Sequence, residues 1–523
     1  MGVMAFDEAD IRDVISAHET GLALPGVLSV RPGFVFRDGW ITAESAVVVT
    51  VTAPVEALPK SIGGIPVDVR VASERKAMQL QDPARYAREI GPAPDFGAVP
   101  FFDAERVVDG GSLVPFATLA RPEVSKPELA YTPAPGASLA PVDVSTSIVL
   151  SASPDSGWQV LSAFLKETTA TLTVSMYDFT SAHILATVES ALAGKTVKLT
   201  LDHPAKNPTA DQTDEQTVAA LERAFGRDLT QAWALERMDP LAAAWIFPTA
   251  YHIKVAVRDS SVVWLSSGNW NNSNQPDIDP VTTPGDSTAA RSGDRDWHVV
   301  ISDRGLAKTF EAFLLNDLAI AGSHDVAPGV ARFEVDEPAV VDSRVETPPF
   351  AEFFAQTTVT DTTRITPLLT PDPGVYVGAV TDLVSSAATS LHLQFQYIEL
   401  PKTATAATQA FSDLVQAVIA RQKAGVDVKI IMSEYETAGY LEQLQAAGLD
   451  VTAAVKIQNN VHNKGIVVDG QRVLVSSQNW SGAGVLSNRD AGVILESADA
   501  AAYFDRVFLH DWEHLATQKA STD

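Results

Sequence analysis

The sequence predicts an α/β protein made of two homologous halves that follow a small α/β N-terminal domain. Two observations support this fold class. Seven chemically functional residues recur in the chain with identical internal spacing, which indicates a duplication. Predicted strands also alternate with predicted helices through both copies, a pattern typical of mixed or parallel sheets covered by helices. The length of 523 residues agrees, because it corresponds to about three domains of ordinary size.

Residues 1–85 are predicted to form the N-terminal module, since helical spacing of apolar residues gives way to alternation. Its predicted strands are Val27 to Phe36, Ala46 to Val51 and Val67 to Val71. Residues 86–144 are rich in Pro and Gly, as in Gly91-Pro92-Ala93-Pro94, which predicts an extended linker or wrapping arm.

The two halves, predicted over residues 145–335 and 345–518, show the same order of helix, strand, helix and strand ahead of the duplicated residues. In the first half these elements are predicted at Trp158 to Glu167, Thr171 to Phe179, His183 to Leu192 and Thr196 to Asp202. In the second half they are predicted at Val375 to Ala387, Ser390 to Ile398, Phe411 to Lys423 and Val426 to Ser433.

The duplicated residues come next in each half. The first copy contains His252, Lys254, Asp259, Ser266, Ser267, Asn269 and Trp270. The second copy contains His462, Lys464, Asp469, Ser476, Ser477, Asn479 and Trp480. Strands are predicted over Tyr251 to Arg258 and Val461 to Val468, so that His and Lys share one face of each strand. The apolar runs Val262 to Leu265 and Val473 to Val475 would form the next strands and deliver the Ser and Asn residues to their ends.

The pattern His-x-Lys-x4-Asp, followed by Ser-Ser-x-Asn, is similar to the signature of the phospholipase D superfamily. The resemblance implies two phospholipase D-like α/β sandwich halves that share one active site. It further implies that an acidic residue in the paired segments Asp294-Arg295-Asp296 and Asn488-Arg489-Asp490 orients each histidine. The implied catalytic residues are His252, Lys254, Asn269, Asp296, His462, Lys464, Asn479 and Asp490.

The chemistry of a phosphodiester explains these residue types. Its cleavage needs a nucleophile, positive charge near the non-bridging oxygens and a proton for the leaving alkoxide. One neutral imidazole can attack while a protonated one acts as general acid and later as general base. Asp259 and Asp469 lie at predicted turns, where a structural role is favoured, and Ser267 and Ser477 are assigned a supporting role.

The sequence therefore predicts a phosphodiesterase that hydrolyses or transphosphatidylates a phospholipid through a phosphohistidine, with no metal and no cofactor. The resemblance favours His252 as nucleophile and His462 as acid, although the duplication makes the reverse assignment chemically equivalent. A metal-independent nuclease is the alternative substrate class, and a non-catalytic scaffold is a third hypothesis. The pair His510 and His514 has helical spacing, but a surface or packing role is favoured over a metal site.

Composition bears on partners and location. A formal net charge of −27 disfavours broad binding to nucleic acid and stable adsorption to anionic membranes, while brief contact with a membrane surface stays open. No stable partner is predicted. The chain has no cysteine, and its first twenty residues are acidic rather than signal-like, so we expect a cytoplasmic protein, with signal-independent export as an open alternative.

The halves differ in one loop. The segment from Asn269 to Arg295 is longer than the equivalent segment from Asn479 to Arg489. The extra residues, roughly Asn271 to Ser287, are polar and rich in Pro and Asp. We predict that they form a rim or lid beside the active site that filters substrates.

Overall fold

The computed structural model describes residues 7–82, 105–109, 111–115, 132–202, 211–239, 242–245, 247, 250–323, 349–372, 375–400 and 406–522. Much of the predicted linker over 86–144 lies outside these ranges, so the extended linker or wrapping arm stays a prediction.

The N-terminal part is built around a six-stranded sheet with strand order β3-β4-β2-β1-β5-β6. Its elements are α1 (Glu8–Ala17), α2 (Glu19–Leu22), β1 (Val27–Arg37), β2 (Trp40–Val51), β3 (Ser61–Ile62), β4 (Ile65–Val71), α3 (Glu74–Gln81), β5 (Arg106–Asp109) and β6 (Ser112–Pro115). Helix α1 places Ile11 and Ile15 in a core with apolar residues of the central strands, which explains the helical and then alternating pattern of the sequence.

The first half follows the N-terminal part. Its elements in chain order are β7 (Val142–Ser145), β8 (Ile148–Ser153), α4 (Gly157–Lys166), β9 (Thr171–Met176), α5 (Ala182–Ala191), β10 (Thr196–Leu201), α6 (Asp214–Phe225), β11 (Leu229–Trp233), β12 (Leu235–Asp239), β13 (Ala242–Trp245), β14 (Lys254–Arg258), β15 (Val262–Ser266), β16 (Asp296–Ile301) and α7 (Arg304–Gly322). Short 3-10 turns cover Gly226–Asp228, Pro284–Ser287 and Ala289–Ser292.

The second half repeats this order. Its elements are β17 (Thr357–Val359), β18 (Thr362–Thr370), α8 (Val375–Ser385), β19 (Ser390–Phe395), α9 (Ala406–Lys423), β20 (Asp427–Met432), α10 (Ala438–Ala447), α11 (Val451–Ala454), β21 (Val455–Ile457), β22 (Lys464–Val468), β23 (Arg472–Ser476), α12 (Gly482–Leu486), β24 (Asp490–Glu496) and α13 (Ala498–His514).

The two halves contain eight-stranded sheets of equivalent order. The first sheet runs β11-β10-β9-β14-β15-β16-β8-β17, and the second runs β21-β20-β19-β22-β23-β24-β18-β7. The outermost strand β17 of the first sheet comes from the segment that leads into the second half. The outermost strand β7 of the second sheet comes from the segment that leads into the first half. One hydrophobic core contains residues of both halves, among them Val299 and Phe310 with Val475 and Phe504. The predicted fold class, two α/β halves after a small α/β domain, is confirmed.

Several predicted strands extend too far toward the active-site end. The predicted strands over Tyr251 to Arg258 and Val461 to Val468 begin only at Lys254 and Lys464, so both histidines precede their strands. The reason is that backbone N–H groups at these positions donate to acceptors other than the neighbouring strand of the sheet. The Tyr251 N–H donates to the Asp202 carboxylate at 2.6 Å, and the His462 N–H donates to the Arg295 carbonyl at 3.1 Å.

The N-terminal sheet is joined to the second half by buried ion pairs. Glu442 on α10 is fully buried and accepts hydrogen bonds from Arg31 at 2.7 Å and from Arg70 at 2.6 Å. It also accepts the backbone N–H of Phe34 at 3.1 Å. Burial alone would raise the pKa of Glu442, but the two guanidinium groups lower it below its ordinary value. Glu442 is therefore satisfied as a charged group at this junction.

Candidate active site

Two histidine–carboxylate pairs lie at the junction of the halves, and each pair takes one residue from each half. His252 Nδ1 is 2.9 Å from Asp490 Oδ1, and His462 Nδ1 is 3.0 Å from Asp296 Oδ1. Both carboxylates are fully buried, while His252 and His462 are 4% and 7% exposed. We call these pairs the His252–Asp490 dyad and the His462–Asp296 dyad. The structure thus brings together the two histidines and the two aspartates that were predicted to orient them.

A serine at the end of a strand holds each carboxylate. Ser267 Oγ donates to Asp296 Oδ1 at 2.7 Å, and Ser477 Oγ donates to Asp490 Oδ1 at 2.5 Å. Each Oγ also accepts a backbone N–H at 3.0 Å, from Trp297 and Ala491 respectively. The serines therefore fix the carboxylates against the neighbouring strand.

Two buried lysines surround the histidines with positive charge. Lys254 and Lys464 have no exposed surface, and each Nζ donates to the backbone carbonyl of the histidine two residues earlier, at 2.6 and 2.5 Å. Lys464 Nζ also lies 3.2 Å from both ring nitrogens of His462. Lys254 Nζ lies 5.2 Å from the ring centre of Tyr177, which itself stands edge-on to His252. A phosphate group between the dyads would therefore meet two ammonium groups.

The two dyads have different proton affinities. Burial, assisted by the charges of Lys254 and Lys464, lowers the pKa of His252 well below its ordinary value. Burial also raises the pKa of Asp490 to about 8. Burial would raise the pKa of Asp296 too, but the charge and hydrogen bond of His462 lower it to about 2. The His252–Asp490 dyad therefore favours a neutral imidazole, whereas Asp296 is ionised beside His462.

The two asparagines reach the site on differently built loops. Asn269 and Asn479 are each 2% exposed, and among the described residues neither Oδ1 atom has a hydrogen-bond partner. The Asn269 N–H is held by Asn274 Oδ1 at 2.9 Å. After Asn479 the chain turns directly into α12, and a Cβ on Gly484 would lie 2.2 Å from the Asn479 carbonyl oxygen. Only glycine fits at that close approach.

Comparison with known proteins agrees with the geometry. A family model described as "Cardiolipin synthase, PLD-like domain" matches residues 380–512, which include the second motif. The "Mitochondrial cardiolipin hydrolase" of Danio rerio is 28% identical over 104 residues, or 19% of this chain. That match spans 46% of the length of the zebrafish protein. These matches support membership of the phospholipase D superfamily for the part of the chain that contains the second motif.

Two solved structures are also similar to this chain. The phosphatidylserine synthase of Haemophilus influenzae Rd KW20 is 13% identical, with a TM-score of 0.46 over 71% of this chain and 88% of that chain. The phospholipase D family member NUC from Salmonella typhimurium is 22% identical, with a TM-score of 0.25 over 30% of this chain and 99% of that chain.

The two aspartates of the duplicated His-x-Lys-x4-Asp motif lie away from the dyads. Asp259 and Asp469 both adopt a positive φ of 53° at the turn after the motif strand. The Asp259 carboxylate accepts the backbone N–H groups of residues 169–171, and the Asp469 carboxylate accepts those of residues 388–390. These bonds cap the start of β9 and β19, so the contacts of both residues are structural ones.

Sequence reasoning missed a further layer of buried ion pairs beneath the dyads. Arg295 pairs with Asp511, and Arg489 pairs with Asp317, again across the two halves. The sequence did contain a signal for them. Arg295, Asp296 and Asp317 are each followed, at the same distance along the chain, by an identical residue, namely Arg489, Asp490 and Asp511. That separation differs from the one between the two motifs, since the loop after Asn269 is longer.

The extra loop of the first half packs on α4. Its residues Asn274 and Gln275 are buried, and Gln159 Nε2 of α4 donates to the Ile278 carbonyl. A cavity of about 520 Å³ lies between the loop and α4 and is lined by Trp158, Lys166 and Asp277 among others. The predicted role of this loop as a substrate filter stays a prediction.

Two further features concern membranes and metals. No helix among the described residues combines the length and apolar character needed to cross a bilayer. Within the same ranges, no group of three or more His, Asp or Glu side chains is arranged to hold a metal ion. His510, from the pair with helical spacing, accepts the backbone N–H groups of Ala351 and Glu352 at 3.1 Å.

Proposed function

We propose that the protein is a phospholipase D-type phosphodiesterase that cleaves a phospholipid through a phosphohistidine on His252. The observation that supports this most directly is the crossed pair of dyads, with Lys254 and Lys464 buried beside them. It provides two imidazoles and two positive charges, which is the set that phosphodiester cleavage requires.

In the first step, His252 Nε2 attacks phosphorus while the bond from phosphorus to the leaving alcohol oxygen breaks. His252 suits this role because its lowered pKa keeps it neutral, and because Nδ1 is occupied by Asp490 while Nε2 has no partner among the described residues. His462 donates its proton to the leaving oxygen. The ionised Asp296 carboxylate supports the protonated form of His462, since their electrostatic interaction is reciprocal.

In the second step, a water or alcohol oxygen attacks phosphorus and the bond from phosphorus to His252 Nε2 breaks. His462, now neutral, accepts the proton of the attacking oxygen, which restores both dyads. Lys254, Lys464, Asn269 and Asn479 would bind the non-bridging oxygens, where negative charge accumulates in both transition states. No metal or cofactor takes part in these steps.

A phospholipid is the favoured substrate. The family model and the zebrafish relative are both named for cardiolipin, a phospholipid, and the formal net charge of −27 opposes binding of a long polyanion. Water as acceptor would give hydrolysis, and an alcohol would give transfer of the phosphatidyl group. Contact with the membrane surface would be transient.

The test is to trap the covalent intermediate. The protein would be mixed with phospholipid vesicles and single-stranded oligonucleotide together, quenched within one turnover, and digested for mass measurement of the His252 and His462 peptides. A phosphatidyl adduct on His252 is expected. A nucleotide adduct would instead make the protein a nuclease, and an adduct on His462 alone would reverse the assigned roles.

A further inference from the structure

A single buried carboxylate beneath the first dyad contacts two different segments of the chain. Asp317 of α7 is fully buried and accepts two hydrogen bonds from Arg489, from Nε at 2.7 Å and from Nη2 at 2.9 Å. The hydroxyl of Tyr251 lies 3.1 Å from Asp317 Oδ2 and 2.8 Å from Ser175 Oγ. Asp317 therefore joins the side chains of Arg489 and Tyr251.

These two partners are the residues that immediately precede the dyad. Tyr251 precedes His252, and Arg489 precedes Asp490. The two segments are also joined directly, because the Arg489 N–H donates to the Ala250 carbonyl at 2.8 Å. Asp317 is thus tied to both chain segments of the His252–Asp490 dyad one residue before each member.

The second dyad has the same arginine–aspartate pair and the same backbone link, since the Arg295 N–H donates to the Asn460 carbonyl at 2.7 Å, but it lacks the tyrosine contact. Asp511 of α13 accepts Arg295 from Nε at 2.8 Å and Nη2 at 3.0 Å, as Asp317 accepts Arg489. The counterpart of Tyr251 is however Val461, which has no polar group. Asp511 instead accepts the amides of Gln394 and Gln458, at 2.9 and 3.2 Å, and neither of these residues adjoins His462 in sequence.

We propose that Asp317 and Tyr251 are positioning residues that hold the His252–Asp490 dyad in line for attack on phosphorus. The inference rests on the proposed role of His252 as nucleophile. An attacking atom must be placed more accurately than a proton donor, because a bond between heavy atoms forms there. The additional tether therefore lies beneath the dyad whose geometry matters more.

The test measures the attack step alone. Tyr251→Phe removes only the hydroxyl, and Gln458→Leu is the matched control, since it removes one donor to Asp511 in the other half. A 4-nitrophenyl phosphodiester is the probe, because its leaving group needs no proton from His462. The first-turnover burst then gives two readings. Its amplitude counts folded sites, and its rate constant reports attack by His252.

We expect Tyr251→Phe to lower the burst rate constant about tenfold at unchanged amplitude, as for the loss of one buried hydrogen bond. Gln458→Leu should leave the rate constant unchanged. Asp317→Asn is the second variant, in case Tyr251→Phe folds poorly, and it should slow the burst further. Unchanged burst rate constants in both first-half variants would overturn the inference. The proposed function would still be supported in that case if the parent protein forms an adduct on His252. Absence of that adduct from the parent would overturn both.

Discussion

In the first half, the loop after Asn269 is held by Asn274 of the extra segment, whereas in the second half the loop after Asn479 is held by the start of α12. Beneath the motifs the halves differ again, because Tyr251 in one corresponds to Val461 in the other. The residues proposed to bind phosphate are duplicated without change, as are the serines and the Arg–Asp pairs behind them, whereas the contacts of Asn274 and Tyr251 occur in the first half alone among the described residues.

The two dyads also differ in their charge, which is how the proposed mechanism assigns two tasks to one duplicated motif. His252 has a lowered pKa, and its partner Asp490 has a raised one, so burial keeps the first dyad neutral. Burial would raise the pKa of Asp296 too, but the charge and hydrogen bond of His462 lower it to about 2, so Asp296 is ionised beside His462. On the proposed mechanism, the division between nucleophile and acid follows from burial together with the charges of the motif lysines and of His462.

The largest expected effect is the difference between substitutions of the two histidines. His252→Gln should abolish adduct formation with every substrate, a loss of at least about 10⁴-fold. His462→Gln should slow cleavage of a phospholipid about 10²- to 10⁴-fold, the usual contribution of a general acid. With a 4-nitrophenyl diester, however, the first-turnover burst of His462→Gln should be nearly that of the parent. Equal bursts from the two variants would contradict the division of roles.

The two lysines provide a finer comparison. Lys254→Met and Lys464→Met should each lower kcat/KM about 10²- to 10³-fold, because each removes a charge that stabilises the transition state. Both charges also lower the pKa of His252, and Lys254 contributes more than Lys464. Their removal raises that pKa toward its ordinary value, so the acid limb of the pH profile of kcat/KM should move to higher pH. The shift should be larger for Lys254→Met, and the opposite order would contradict the assigned electrostatics.

Much of the fold was predictable because the duplication repeats its hydrophobic pattern as well as its functional residues. Helix α4 was predicted to begin at Trp158 and begins at Gly157, and β9 was predicted to begin at Thr171 and does so. Strand ends near the site were predicted too long, since buried carboxylates there take the backbone N–H groups. Phe179, predicted as a strand residue, donates its N–H to Asp214 at 2.8 Å.

The arrangement of the candidate site was only partly predictable. The residues of the two dyads were identified, but the sequence did not indicate that each histidine pairs with the acid of the other half. The exchange of β7 and β17 between the sheets was likewise not predicted. Both features depend on contacts between segments far apart in the chain, and local periodicity carries no information about such contacts.

A smaller effect is expected in the extra loop. Asn274 holds the Asn269 N–H through Oδ1, and its Nδ2 donates to Asp294 at 2.8 Å. Asn274→Ala should lower kcat/KM about tenfold by loosening Asn269. Ser481→Ala, which removes the hydroxyl that caps α12 in the second half, should cost only a few-fold because the Asn479 loop also packs directly on Gly484. Equal losses would indicate that the two loops are held alike.

Asp294 and its counterpart Asn488 allow a test by pH. Burial raises the pKa of Asp294 to about 7, whereas an aspartate in an unfolded chain titrates near ~4. Its favourable contribution is therefore present below about pH 4 and is lost as the pH rises through about 7. Asp294→Asn should remove this loss. The fall in the free energy of unfolding from pH 4 to pH 8 should therefore be smaller in the variant than in the parent by about 1–3 kcal/mol. Denaturant unfolding at both pH values measures it, and parallel pH profiles in parent and variant would count against it.

The smallest expected effect is that of removing divalent ions. In a metal-dependent phosphodiesterase, bound cations neutralise the non-bridging oxygens. Here Lys254 and Lys464 place two buried positive charges beside the histidines of both halves. Turnover of a phospholipid should therefore be unchanged after dialysis against EDTA. A loss of activity that Mg²⁺ or Zn²⁺ restores would mean that the lysines do not supply enough charge. Lys464→Met is the control. This variant lacks the ammonium group that the His462 carbonyl holds, and added Mg²⁺ or Zn²⁺ should not restore its activity.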